Sequence, residues 1–244
     1  MIVIILAGGF AKRLWPLSMK TPKPLLPVAG RPVLDHIMDG VTALGSRVSD
    51  IVVLTNAVFF DDFSTWARMK ADGRIRVADD GSTSETAKVG AVGAIRVLID
   101  QLKDDLLIRA GDTLFLDPLH DLVDLFDSVH APVGGLYRPI SDEQLLRGSA
   151  VSIDERGAII SFVEKPVAPS PSLVGAVMYA FPAGIHTRFR EYSATGLSTD
   201  EPGRFMEWLV SKERVYGYLL KHPVWDVGTL EAYQKAEMYL SGSL

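Results

Sequence analysis

The chain has 244 residues, 48% of them hydrophobic and 23% charged, which suffices for one large buried core and, by length, for one or two domains. Its formal charge of −5 argues against a general binder of nucleic acid or of an anionic membrane, because such proteins present broad basic faces. The absence of cysteine excludes disulfides, thiolate metal sites and cysteine nucleophiles, and fits a reducing compartment.

Met1 leads directly into IVIIL, an apolar run with no basic segment before it and no small-residue cleavage site after it. It reads as a buried first strand and not as a signal peptide. No other apolar run approaches the roughly 18 residues of a membrane helix, so a soluble, cytoplasmic protein is expected. Further strand-like runs at 51–54, 75–77, 106–110 and 133–136 alternate with segments of helix length, the pattern of βαβ units and a parallel sheet. After Ser82 the spacing predicts a core-facing helix: Ser82 and Glu85 stand as in a capping box, and Ala91, Ile95, Leu98 and Leu102 follow at helical steps. Beyond about residue 140 a β-hairpin is predicted, with arms at 150–153 and 159–163 around Asp154-Glu155-Arg156-Gly157. A strand at 174–181, a helix at 204–211, a strand at 215–220 and a helix at 229–240 complete the reading.

The loop after the first strand concentrates charge. Between Leu6 and Arg31 lie Lys12, Arg13, Lys20, Lys23 and Arg31 and no acid, with Pro16, Pro22, Pro24 and Pro27 fixing φ along the way. Gly8 and Gly9 directly follow the strand, where backbone amides can approach a phosphate. The third glycine of a dinucleotide fingerprint and the G-x-x-x-x-G-K-[ST] of a P-loop are both absent. A local positive field in an acidic chain suits a small polyanion. Asp112 follows the run LLIRAG, so in an open parallel sheet it shares with Gly8-Gly9 the crevice beyond the strand ends, where a carboxylate is a good Mg²⁺ ligand.

The pattern G-G-x-x-x-R-L-x-P-L followed by P-K-P-L-L-P-V-A-G-R-P resembles the nucleotide-binding and catalytic loop of the sugar-1-phosphate nucleotidylyltransferases, over essentially the whole chain. The resemblance implies an α/β fold: a Rossmann-like, mostly parallel central sheet flanked by helices, with an added β-hairpin region that binds sugar. It implies one catalytic domain over 1–244, of which 1–140 is mainly nucleotide-binding and 141–244 mainly sugar-binding. Arg13 and Lys23 then contact the triphosphate and promote transfer. The family's usual G-x-G-T-R reads Gly9-Phe10-Ala11-Lys12-Arg13 here, with Lys12 as a replacement contact. Leu6, Ala7, Gly8, Gly9, Lys12, Thr83, Ser84 and Gly111 are the nucleotide-binding candidates, and Ser82–Glu85 keeps its helix-capping reading beside that one.

On the same ground Asp226, in WDVGT, joins Asp112 as a Mg²⁺ ligand. Read without the resemblance, Asp226 is equally a helix-entry or turn acid. Glu164-Lys165-Pro166 resembles the E-K-P segment that faces the sugar phosphate, with Gly148 and Gly175 beside the ring.

The implied reaction takes a nucleoside triphosphate and a sugar 1-phosphate to an NDP-sugar and pyrophosphate, with glucose 1-phosphate and UTP or dTTP as the first pair. Left open are a CTP-dependent transferase acting on an alcohol phosphate such as phosphocholine, a non-catalytic nucleotide-sugar-binding regulatory protein, and a homo-oligomer, dimer or tetramer.

Overall fold

The computed structural model describes residues 1–11, 14, 18, 20–168 and 172–242. Along the chain its strands are β1 (Ile2–Leu6), β2 (Pro27–Val28), β3 (Arg31–Pro32), β4 (Asp50–Thr55), β5 (Ile75–Asp79), β6 (Leu106–Ala110), β7 (Thr113–Phe115), β8 (Val133–Tyr137), β9 (Ser149–Ile153), β10 (Ile159–Glu164), β11 (Val174–Phe181), β12 (Tyr216–Leu219) and β13 (Val224–Asp226). The helices are α1 (Val33–Thr42), α2 (Phe60–Lys70), α3 (Ala91–Ile99), α4 (Leu119–Val129), α5 (Asp142–Arg147), α6 (His186–Ala194), α7 (Pro202–Val210) and α8 (Leu230–Leu240). Two compact units divide them, the first made of Met1–Lys88, Arg109–Leu119 and His222–Leu244, the second of Val89–Ile108 and His120–Lys221.

In the first unit β1, β4 and β5 pair in that order, both pairings parallel. Val3, Ile4 and Ile5 of β1 and Ile51, Val52 and Val53 of β4 are all fully buried, as expected of parallel strands covered on both faces. The buried stripe of α1, Val33, Leu34, Ile37, Met38 and Val41, follows the helical period. Phe63 and Trp66 are the buried residues of α2, and Trp66 donates its indole N–H to Asp35 of α1 at 2.8 Å. Two short antiparallel ladders complete the unit: β2 with β3, and β7 with β13 in the register Thr113 to Asp226.

In the second unit β8 pairs parallel with β12 and antiparallel with β11, and β9 and β10 form the expected hairpin. Its turn closes because Asp154 Oδ1 accepts from the amides of Arg156 and Ala158, while Gly157 takes a left-handed φ of 79°. An aromatic core joins β11, α6 and α7, in which Phe189 and Phe205 stack at 4.1 Å and Phe181 meets both edge-on.

One helix begins later than expected. Glu85–Ala87 is a single 3₁₀ turn with no side-chain cap, and α3 starts only at Ala91 after Gly90, whose φ is 79°. A Cβ on Gly90 would lie 2.3 Å from the Thr199 carbonyl oxygen, so close backbone approach selects glycine there and prevents a helix from running through. Ile95, Leu98 and Leu102 are buried as predicted. No helix among the described residues is long and apolar enough to cross a membrane.

Candidate active site

Lys23 organises the candidate site of the first unit. Pro22 is extended, and Lys23–Leu25 form a 3₁₀ turn with Pro24 in its first turn, closed by the Leu25 and Leu26 amides on the Pro22 and Lys23 carbonyls. The prolines thus fix where the lysine leaves the backbone. Lys23 is buried at 6% exposure, and its ammonium donates to Asp112 Oδ2 at 2.8 Å and to Asp226 Oδ1 at 3.0 Å.

Asp112 and Asp226 are brought together by the β7–β13 ladder: Asp112 directly precedes β7, Asp226 ends β13, and the Val227 amide donates to the Asp112 carbonyl at 3.2 Å. Both carboxylates reach water, with side chains 41% and 70% exposed, so the pair forms an open cradle and not a sealed ion pair. A Cβ on Gly228 would lie 2.9 Å from Asp226 Oδ1 and 3.2 Å from Lys23 Nζ, and any side chain there would crowd this cradle. Burial works against charge on Lys23, but the two carboxylates outweigh it and hold the ammonium above the usual lysine range. Partial desolvation by the surrounding protein pushes the half-exposed Asp112 up, and attraction to Lys23 with hydrogen bonds from Lys23 and Thr113 reverses it, leaving Asp112 below the usual carboxylate range.

The strand-end segment lies in the same unit. The Ala7 amide donates to the Leu54 carbonyl at 2.8 Å, and Asn56 Nδ2 donates to the Gly8 carbonyl at 2.9 Å. Asn56 is fully buried and also accepts from the Phe59 amide, a fixing role that a polar residue just after a strand could have signalled. The Gly111 amide donates to Leu6 O at 2.9 Å, and a Cβ on Gly111 would lie 2.8 Å from that oxygen, so close strand packing requires this glycine. No described atom lies within 4 Å of a Cβ built on Gly9. Thr83 and Ser84 lie in a loop after two Asx turns, in which Asp79 and Asp80 accept from the Gly81 and Ser82 amides. Lys12 and Arg13 lie outside the described residues.

In the second unit the sugar-side candidates converge. The Lys165 amide donates to the Gly148 carbonyl at 2.7 Å, and the Gly175 amide donates to Ser149 Oγ at 2.9 Å. Cβ atoms on Gly148 and Gly175 would lie 2.8 Å from Val174 Cγ1 and 2.7 Å from Ser149 Oγ, so both glycines serve packing within the unit. Lys165 carries a left-handed φ of 50°, and its ammonium meets Glu201 Oε1 at 2.5 Å. Glu201, a residue that motif reading passed over, also accepts from Ser198 Oγ at 3.0 Å, and the hydrogen bond from Lys165 leads in lowering its pKa. Glu164 packs against the first turn of α7, where a Cβ on Gly203 would fall 1.9 Å from its Oε2. Burial pushes Glu164 up to about 7, against the pull of Lys165 and with a further push from Glu201.

The chain matches the family model described as Nucleotidyl transferase over residues 2–242. It is 27% identical over 240 residues to the bifunctional protein GlmU of Methanocaldococcus jannaschii, covering 98% of this chain and 54% of that protein. It is 26% identical over 235 residues to mannose-1-phosphate guanylyltransferase of Mycobacterium tuberculosis, covering 94% of this chain and 62% of that one. The chain therefore spans little more than half the length of these two relatives. Among solved structures, a putative glucose-1-phosphate thymidylyltransferase from Bacillus anthracis superposes with a TM-score of 0.85 at 21% identity, covering 100% of this chain and 96% of that one, which shows a shared fold. With the family model matched over nearly its whole length, the chain belongs to the nucleotidyl transferase family.

Proposed function

We propose that this chain transfers a nucleoside monophosphate from a nucleoside triphosphate to a sugar 1-phosphate, releasing pyrophosphate. The observation that carries the reading is the buried Lys23 ammonium on two water-accessible carboxylates, a set of charges suited to a metal–triphosphate.

The residues fit Mg²⁺. Two carboxylate oxygens lie within 3.0 Å of one cationic nitrogen, and among the described residues no group of three acids or histidines could complete a cage. A hard cation held by one or two carboxylates takes its remaining oxygens from phosphate and water. Bound by Asp112 and Asp226, Mg²⁺ would neutralise triphosphate charge and polarise the phosphoryl oxygens.

The remaining chemistry belongs to the substrates and this chain's own residues. A sugar phosphate has a second pKa of about 6, so at neutral pH it is mostly dianionic and needs no general base. Its oxygen forms a bond to the α-phosphorus, the bond from that phosphorus to the β-bridging oxygen breaks, and the electron pair leaves on pyrophosphate. Lys23, with Arg13 assigned by motif alone, stabilises charge developing on the phosphates. Lys165 supplies a point charge for the sugar phosphate, and Glu164 meets sugar hydroxyls. We assign a cytoplasmic setting on the cysteine-free composition.

Glucose 1-phosphate with UTP or dTTP is the first pair to assay. A matrix of UTP, dTTP, CTP, GTP and ATP against several sugar 1-phosphates and phosphocholine, read by pyrophosphate release, tests the reading and fixes base and acceptor together. At least one sugar 1-phosphate is expected to turn over, and Asp112→Asn to lose most of that rate while staying folded. Pyrophosphate release with phosphocholine alone, or with no pair, overturns the reading.

A further inference from the structure

Arg109 belongs to β6 and is only 2% exposed, yet it has no counter-ion among the described residues. All 30 Asp and Glu residues lie among the described residues, and none of them pairs with it. Among the described residues its Nε has no hydrogen-bond partner, and Nη1 meets the Ile37 carbonyl at 3.5 Å, too long for a good hydrogen bond. The guanidinium carbon sits 5.2 Å from the centre of the Phe115 ring. Burial lowers its pKa to about 10, which leaves the group charged at neutral pH. An unpaired buried cation is among the most expensive features a fold can carry.

Gly40 lies inside α1, where glycine disfavours helix by about 1 kcal/mol relative to alanine. A Cβ there would lie 3.5 Å from Arg109 Nη1 and 3.4 Å from Leu119 Cδ1, ordinary van der Waals distances, so α1 passes within side-chain reach of the guanidinium.

Arg109 and Gly40 line a cavity of about 280 Å³ together with Leu114, Phe115 and Leu240. Two acids also line it, and both are engaged elsewhere: Asp39 accepts a two-pronged contact from Arg31, and Asp117 accepts from the His222 amide at 3.0 Å. Arg109 is therefore the cavity wall's uncompensated charge among the described residues. The apolar lining and the two acids disfavour a polyphosphate, and a guanidinium fork matches the two oxygens of a carboxylate.

We infer that this cavity is a binding site for a small organic monocarboxylate, its carboxylate on Arg109 and its apolar body against Leu114, Phe115 and Leu240. The site uses none of the residues assigned to nucleotidyl transfer.

Benzoate serves as the probe, with inorganic phosphate as the comparison and thermal unfolding of the whole chain as the readout. Benzoate at saturation is expected to raise the Tm of the wild-type chain by about 2–4 °C or more. Arg109→Met should have a higher Tm than wild type without additive, because the unpaired charge is gone, and should not respond to benzoate. No response in wild type, or an equal response in both proteins, overturns the proposal; a response to phosphate in place of benzoate overturns the carboxylate assignment. Should Arg109→Met fail to fold, the wild-type chain titrated with benzoate decides by NMR: saturable movement of the Gly40 amide and the Arg109 Nε–H supports the site, and their indifference overturns it.

Discussion

Lys23 and Asp226 stand 203 residues apart in the chain, and the lysine ammonium meets the carboxylate at 3.0 Å. Asp112 completes the contact at 2.8 Å, so one buried cation holds together two acids that would otherwise repel. Both carboxylates thus spend an oxygen on the one ammonium. On the proposed reading, in which Asp112 and Asp226 hold Mg²⁺, the ammonium and the metal would compete for the same oxygens, and a bound triphosphate would offer Lys23 others.

The first prediction follows from that competition. Lys23→Met should lower turnover by about 10²–10³-fold, the scale seen when one group aimed at transition-state charge is removed. It should also tighten Mn²⁺ binding in the absence of nucleotide, measured by calorimetry, since two carboxylates are freed. Unchanged or weaker Mn²⁺ binding by a folded variant would show that the lysine does not occupy the metal's place.

Glu164 supplies the second prediction. Burial raises its pKa from the ordinary 4.5 to about 7, so between those values the folded chain holds a proton that the unfolded chain releases. Stability from this group is complete below about 4.5 and declines as pH rises through about 7, by at most about 3 kcal/mol. Glu164→Gln should lack that decline, as read from urea midpoints between pH 5 and 8. Gly203→Ala should also flatten it, because the new Cβ would lie 1.9 Å from Oε2 and push the carboxyl out of its buried position. Parallel pH profiles for wild type and Glu164→Gln would remove Glu164 as the cause.

The strands were the most legible part of the sequence. The runs at 2–6, 106–110 and 174–181 stand at the expected bounds, because a strand covered on both faces must be apolar at nearly every position. The β7–β13 ladder carried no comparable sign. It pairs two three-residue segments more than a hundred positions apart, and pairing at that distance leaves no local period. The carboxylate pair was therefore legible only through motif resemblance. Ser82 and Glu85 misled for the opposite reason: their spacing was locally right, but Gly90 must pass Thr199 too closely for a helix to continue. Arg109 was hidden within an apolar run, LLIRA, where its burial was evident and its lack of a counter-ion among the described residues was not.

The third prediction concerns Ala11, which stands where the resembling motif has its second glycine. Its φ is 47°, the left-handed conformation that glycine adopts freely and that an L-residue with a Cβ enters at about 1–2 kcal/mol. Its carbonyl accepts from the Leu14 amide at 3.0 Å and from Ser18 Oγ at 2.7 Å. Glycine at this position removes the strain but adds about 0.5–1 kcal/mol of unfolded-state entropy. Ala11→Gly should therefore be neutral or stabilising by up to about 1 kcal/mol, whereas the same change within the sheet or a helix destabilises. Urea midpoints at constant m-value measure the difference. A loss of more than about 1 kcal/mol would mean that the alanine methyl makes a packing contact outweighing its strain.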